Sequence, residues 1–362
     1  MIEALPDRAR RGRGAVSNRS GRYEAQQRVA VDDGWSREPD PDDAAPPLAT
    51  SVLTDSTRSI IARNRSPDVP FDRSINPYRG CEHGCVYCFA RPSHAWLGFS
   101  PGLDFESKFL VKPEAAKLLR AELGKAGYRP AAIALGSNTD PYQPLERRLE
   151  ITRRILEVLA EARHPLIIVT KSNLVLRDLD LLSEMAKLNL VQVLLSVTTL
   201  DRKLARLMEP RAPTPARRLE AIAGLSAAGV PAGVLAAPMI PAVNDAELEA
   251  ILEACAEAGA ESAGYVLLRL PLEIKELFDE WLEAHFPDRK AKVLHLVEET
   301  RSGKLYDSTY GKRMRGEGVY AELLAARFKR ALARLGLDRG RRTLASHHFR
   351  KPASETSQLA LF

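Results

Sequence analysis

Cysteine is scarce, with 4 in 362 residues, which excludes a disulfide-stapled scaffold. No apolar run approaches the ~18 residues that a membrane-spanning helix needs, so no membrane association is expected. No basic-then-apolar leader opens the chain, which argues against secretion and for a cytoplasmic protein. No repeat of fixed period is present, so a solenoid or propeller is excluded. Hydrophobic residues make up 45% of the chain, ample for a buried core. The net charge of +6 is unevenly spread. Residues 1–70 hold 11 basic and 11 acidic side chains, whereas residues 301–362 hold 14 basic and 5 acidic. A basic end suits nucleic acid or an acidic partner protein, or simply a solvated helix face.

Three regions differ in texture. Residues 1–66 mix Arg11-Gly12-Arg13-Gly14 with an acidic, proline-rich stretch at 38–47. Their scattered apolar residues form no face, so this segment is expected to be poorly ordered. Residues 67–300 alternate short apolar runs with amphipathic segments. The runs lie at 131–135, 166–170, 191–197, 232–237 and 265–270. The helical patterns lie at 113–127, 145–162, 176–188, 215–228 and 245–258, with Gly127, Gly229 and Gly259 as stop signals. Strands that read as continuous apolar runs are buried on both faces, which means a parallel sheet covered by helices. With an extended 74–78, six β/α units result. The fold class is therefore α/β, a partial, six-unit TIM-type barrel whose site lies at the C-terminal strand ends. Residues 301–362 read as a helical, basic extension, with a polar loop at 305–318, a helix at 320–335 and a basic tail.

The chemistry concentrates in Cys81-Glu-His-Gly-Cys85-Val-Tyr-Cys88, at the end of the first candidate strand. Its C-x3-C-x2-C spacing builds a loop on which three thiolates converge on one cluster, leaving a fourth iron open. Gly80 and Gly84 let the backbone fold closely around it. The alternative is zinc with His83 or His94 as fourth ligand, but zinc sites favour paired C-x2-C units and no second pair exists. Cys255, on a helix face, reads as a small buried hydrophobe.

The cysteine motif, with Tyr87 before its last cysteine and a six-unit β/α chain after it, resembles the radical S-adenosylmethionine (radical SAM) superfamily. Asn76-Pro77-Tyr78-Arg79-Gly80, Thr139-Asp140-Pro141-Tyr142-Gln143-Pro144, Thr170-Lys171-Ser172 and Ser196-Val197-Thr198 resemble its spore photoproduct lyase-like branch. The resemblance implies a 4Fe–4S cluster on Cys81, Cys85 and Cys88. It implies S-adenosylmethionine chelated to the open iron and cleaved reductively to a 5′-deoxyadenosyl radical. Lys171 is then the candidate for the methionine carboxylate, Ser196 and Thr198 for ribose or carboxylate, and Tyr87 for adenine. The family's usual Gly-Gly-Glu is replaced by Gly136-Ser137-Asn138-Thr139-Asp140, which makes Thr139 and Asp140 candidates for the methionine amine; a plain strand-to-helix turn is the alternative. Asn244 reads as a helix cap or a ligand contact. The lyase's further, hydrogen-donating cysteine has no evident counterpart, since Cys255 is the only spare one.

The resemblance also implies an electron donor such as flavodoxin or ferredoxin. A nucleic-acid substrate is suggested by the lyase-like motifs and by Lys304, Lys312, Arg313 and Arg315 interleaved with Tyr306 and Tyr310. The competing readings are a radical SAM enzyme acting on a protein or small metabolite, and a non-enzymatic, zinc-stabilised nucleic-acid-binding module.

Overall fold

The computed structural model describes residues 7–24, 48–338 and 342–353. Six strands run parallel in sequence order: β1 (Arg73–Ile75), β2 (Ile133–Leu135), β3 (Leu166–Thr170), β4 (Val191–Ser196), β5 (Ala232–Met239) and β6 (Ser262–Leu267). Each pairs with the next. A short antiparallel strand, Ala62–Arg63, edges β1, and β1 does not pair with β6. The sheet is therefore an open, six-unit β/α barrel, as the apolar runs indicate. Almost every residue of β1 to β4 is buried, which is the both-face burial of a helix-covered parallel sheet.

Helices cover the outside: α1 (Ala115–Gly124), α2 (Ile151–Glu161), α3 (Leu179–Lys187), α4 (Pro215–Ala227) and α5 (Leu248–Glu257). Gly229 and Gly259 take positive φ after α4 and α5, as stop signals should, whereas α1 ends at Gly124, ahead of Gly127. Two further helices, α6 (Ile274–His285) and α7 (Pro287–Glu299), follow β6. They bury Phe278, Trp281, Leu282, Val293 and Val297 in a second apolar cluster that also holds Cys85 and Tyr87.

The C-terminal helix α8 (Gly318–Leu335) packs on α5, burying Leu324, Phe328 and Ala331 in the main core. Arg327 and Arg334 on α8 pair with Glu249 and Glu253, and Arg342 with Glu261. Residues 342–353 then cross the end of the barrel where strands begin: Ala345 N–H donates to Asn189 C=O, just before β4, at 2.9 Å. The basic extension is thus a fitted part of the barrel, with Arg327, Arg334 and Arg342 matched to carboxylates.

Within the N-terminal segment, expected to be poorly ordered over 1–66, residues 14–17 are seated against the barrel. Gly14 to Ser17 are buried, and the Gly14 and Ala15 N–H groups donate to the two oxygens of Glu106 at 2.9 and 2.8 Å. The missing apolar face is replaced by hydrogen bonds to a buried carboxylate. Residues 1–6 and 25–47 lie outside the described residues.

Candidate active site

The cysteine loop follows β1 and is held by side chains on three sides. Asn76 accepts from the Asn138 and Thr139 N–H groups at 2.9 and 3.3 Å, tying β1 to the turn after β2. Gln143, fully buried, accepts from Glu82 N–H at 2.8 Å and donates to Gly80 C=O at 3.3 Å. Arg91, also fully buried, donates to Cys85 C=O at 2.9 Å and Gly84 C=O at 3.1 Å, and its charge is met by Glu106. Gly84 has φ +67°, and a Cβ on it would sit 2.8 Å from a Glu106 oxygen, so the loop needs glycine here. These contacts explain why the Asn-Pro-Tyr-Arg-Gly and Thr-Asp-Pro-Tyr-Gln-Pro motifs occur together: one brackets the loop that the other introduces.

Cys81 and Cys85 are buried, Cys88 is partly so, and all three are free thiols. Burial, then the charges of Asp140, Cys85 and Cys88, push the Cys81 thiol well up; burial pushes Cys85 to about 12, with Lys171 pulling the other way. Thiols grouped and desolvated in this way suit metal-bound thiolate, because metal replaces the proton. Among the described residues no three His, Cys, Asp or Glu side chains gather as a single ion's ligands. His94, the other zinc candidate, directs Nε2 to Lys108 C=O at 2.9 Å.

The candidate cofactor residues all lie at the C-terminal strand ends, linked by two buried carboxylates. Asp140 is the first. It accepts from Tyr142 N–H (2.9 Å), Thr170 Oγ1 (2.7 Å) and Lys171 N–H (2.8 Å), and its Oδ2 lies 3.3 Å from His83 Nδ1. Burial opposes its charge, but His83 and these donors hold its pKa at about 2. With its lone pairs engaged, Asp140 joins the cysteine loop to the end of β3. Thr139 donates to Tyr78 C=O at 2.9 Å, fixing the strand that enters the loop.

The second carboxylate, Glu209, has no sequence signal. It lies beyond β4, after the short helix Arg202–Met208. Its side chain is fully buried and pairs with the equally buried Arg218. Tyr87 Oη donates to it, Thr198 Oγ1 donates at 2.6 Å, and Lys171 Nζ stands 4.0 Å away. Burial works against its ionisation, yet Arg218 and Lys171 keep its pKa at about 2. Burial would neutralise Lys171, but Cys85 and Glu209 hold it charged. Ser196 is buried and its C=O accepts from Arg218 at 3.0 Å. Tyr87, Lys171, Ser196 and Thr198 are therefore brought together around Glu209, beside Cys85. The segment carrying Glu209 docks on the cysteine loop through Val86 N–H to Met208 C=O (3.1 Å) and Arg211 N–H to His83 C=O (3.3 Å).

Asn244 stands at the N-cap position of the short helix Asp245–Glu247, but its side chain makes no capping bond. It is fully buried, accepts from Ile240 N–H at 2.6 Å and donates to Thr198 C=O and Pro238 C=O at 2.7 and 2.9 Å. It clamps the loop after β5 to the end of β4. Cys255 is buried in the main core on α5, and burial alone lifts its thiol to about 12. The C-terminal interleaved basic residues are largely engaged within the fold. Arg313 binds Asp68 at 2.5 Å, Lys312 binds Glu317 at 2.7 Å, and the Arg315 guanidinium lies 3.9 Å from the Tyr265 ring centroid. Their loop closes on β6 through Leu267 N–H to Met314 C=O at 2.9 Å. No helix among the described residues is long and apolar enough to cross a membrane.

Comparison with known proteins agrees with this geometry. The uncharacterized protein Rv2578c of Mycobacterium tuberculosis (strain H37Rv) is 43% identical over 187 residues, 51% of this chain and 55% of that protein. The uncharacterized protein MJ0683 of Methanocaldococcus jannaschii is 29% identical over 214 residues, 59% of this chain and 76% of that protein. The chain thus spans about half the length of the mycobacterial relatives it matches. Among solved structures, a spore photoproduct lyase complexed with dinucleoside spore photoproduct shares the fold, with a TM-score of 0.56, 16% identity and 78% of each chain covered. A mutant of that lyase with bound AdoMet and dinucleoside spore photoproduct gives the same values. The family model of the radical SAM superfamily matches residues 75–255, half the chain, from the last residue of β1 into α5 and across all three clustered cysteines. On the family match and the shared fold together, the chain belongs to the radical SAM superfamily.

Proposed function

We propose that this radical SAM enzyme holds a 4Fe–4S cluster on Cys81, Cys85 and Cys88 and cleaves S-adenosylmethionine reductively, acting on a nucleic-acid substrate. The observation that carries the reading is the grouping of three free thiols on one buttressed loop, beside Lys171 and Tyr87, at the C-terminal strand ends. When bound, the cluster supplies an electron to the sulfonium of S-adenosylmethionine, and methionine and a 5′-deoxyadenosyl radical result.

The chain's own residues orient and shield. Lys171, held charged next to Glu209, offers an ammonium to the methionine carboxylate. Ser196, whose hydroxyl makes no hydrogen bond among the described residues, is placed to meet the cofactor's hydroxyl or carboxylate groups. Tyr87 has its hydroxyl fixed on Glu209 and Thr198, so its ring presents a set face to adenine. The amine is left to acceptors other than Asp140, whose oxygens are engaged.

Support for a nucleic-acid substrate comes from Phe89, which follows Cys88. The residue is 44% exposed, large for an apolar one beside a buried loop, and the Arg269 guanidinium lies 5.2 Å from its ring centroid. An exposed ring backed by a cation is a stacking platform for a base. The lyase neighbour, named as bound to a dinucleoside, shares the fold that positions it. Its chemistry is not carried over, because Cys255 is remote from the strand ends.

The test is anaerobic reconstitution followed by metal analysis and product assay. Brown protein with about four irons that releases 5′-deoxyadenosine under strong reductant supports the reading. Colourless protein with one zinc, or an intact cluster with no 5′-deoxyadenosine, refutes it. Deuterium transfer from labelled DNA or RNA into 5′-deoxyadenosine tests the substrate class.

A further inference from the structure

A cavity of about 790 Å³ opens beside the cysteine loop, where the segments after β2, β3 and β4 meet. Arg147, Arg202, Arg211 and Arg217 line it, and no lining residue is acidic. Arg211 is paired with Glu82 at 3.1 Å and Arg217 with Glu220 at 2.7 Å. Arg147 and Arg202 are exposed and have no carboxylate partner among the described residues. Two of the four cations thus lack a counter-ion, so the cavity carries a net positive potential.

Two independent features point the same way. The first turn of the 13-residue helix α4 lines the cavity, and no side chain caps its N–H groups. Unsatisfied N–H groups at a helix start favour an anion. The second is His83, between Cys81 and Cys85. Its ring is 1% exposed and lines the cavity; Nδ1 faces Asp140, while Nε2 has no partner. A buried polar atom without a partner is uncommon and marks a place where a ligand completes the hydrogen bonding.

We propose that this cavity binds the phosphate group of a nucleotide or polynucleotide. Guanidinium forks match phosphate oxygens in pairs, and the volume suits a nucleotide-sized group. If the bound phosphate belongs to the substrate, a point that rests on the nucleic-acid reading above, the cavity anchors the strand by its backbone beside the cysteine loop. The anion site itself does not depend on that reading.

The experiment uses the full chain, metal-free and reconstituted, with three probes: pyrophosphate, a mononucleotide and a labelled single-stranded oligonucleotide, each titrated against salt. The variant is R147Q/R202Q/R217Q, which removes exposed charges and leaves the cysteine loop and Glu209 untouched. Oligonucleotide affinity should fall at least about tenfold, and the slope of log K against log salt should flatten by about 2, three contacts at ~0.7 each. Iron content should not change. Binding of pyrophosphate or mononucleotide but not oligonucleotide, lost in the variant, supports the anion site and assigns it to a free nucleotide. Unchanged affinity and slope in the variant overturn the proposal. So does absence of binding by all three probes, and so does arginine-dependent capture of an acidic protein such as flavodoxin when no phosphate probe binds. Failure of the cluster reading shows separately, in the iron content.

Discussion

Replacing Glu209 by Ala tests the least expected part of the site. The carboxylate is fully buried and faces Arg218, Tyr87, Thr198 and Lys171. Without it, the buried Arg218 guanidinium keeps only the C=O groups of Pro213 and Ser196, at 2.9 and 3.0 Å. Its charge then has no counter-ion, and Tyr87 loses its main acceptor. Breaking a buried pair from one side costs about 3–5 kcal/mol. For a chain of this size that moves the urea midpoint of the metal-free, reduced protein by about 1 M or more. Arg218→Met alone should cost a similar amount, since it strands the carboxylate. The double variant E209A/R218M removes both charges together and should recover most of the loss, giving a coupling of about 2 kcal/mol or more. If each single variant costs under about 1 kcal/mol, the value for a solvated pair, or if the two losses simply add, the pair is not the buried clamp described here.

The other predictions address the loop, the cofactor and pH. Cys85→Ala should abolish iron retention while near-native secondary structure persists by circular dichroism; retained iron would remove Cys85 from the ligand set. Lys171→Ala should weaken S-adenosylmethionine binding by roughly tenfold or more, the loss of one charge-assisted contact, with iron content unchanged; iron loss would make Lys171 structural. Gly14→Ala places a Cβ 1.9 Å from Gly84 C=O, so residues 13–18 should lift away at a cost of about 1–3 kcal/mol, seen as faster amide exchange at Gly14 and Ala15. Unchanged exchange would show that the segment is not seated on the loop. Asp140 and Glu209 are both held at about 2, below their ordinary 3.8 and 4.5. Because the folded values are the lower ones, the unfolded chain takes up protons first, so this stabilisation is complete above about pH 4.5 and disappears as pH falls toward 2. A urea-midpoint series should show that slope, and E209Q should flatten it.

The sequence was informative wherever chemistry or burial follows a local pattern. The strand runs at 166–170 and 191–197 match β3 and β4 closely because a strand buried on both faces needs an unbroken apolar run. Helix α7 gives a weak apolar pattern because six of its 13 residues are charged and only Val293 and Val297 are buried. Thr139 and Asp140 are the sequence's candidates for the cofactor's amine, and the surroundings of Asp140, with His83, Tyr142, Thr170 and Lys171 about its oxygens, are visible only in the fold. No one-dimensional pattern says which donors will surround a carboxylate. Glu209 stands in Met-Glu-Pro-Arg, where nothing distinguishes it from a surface residue.

What the sequence determined by itself is therefore the cysteine spacing and the alternation of elements. The first is a property of one loop, and the second follows from a 3.6-residue period interrupted by buried runs. Tertiary structure decided the rest: which carboxylates are buried with which cations, that an N-terminal segment without an apolar face seats on Glu106, and that arginines from separate loops ring one cavity. Those outcomes depend on contacts that range from 9 positions apart, for Glu209 and Arg218, to 122 apart, for Tyr87 and Glu209. Such contacts are selected by packing and by the cost of burying an unpaired charge, and neither leaves a mark on neighbouring residues.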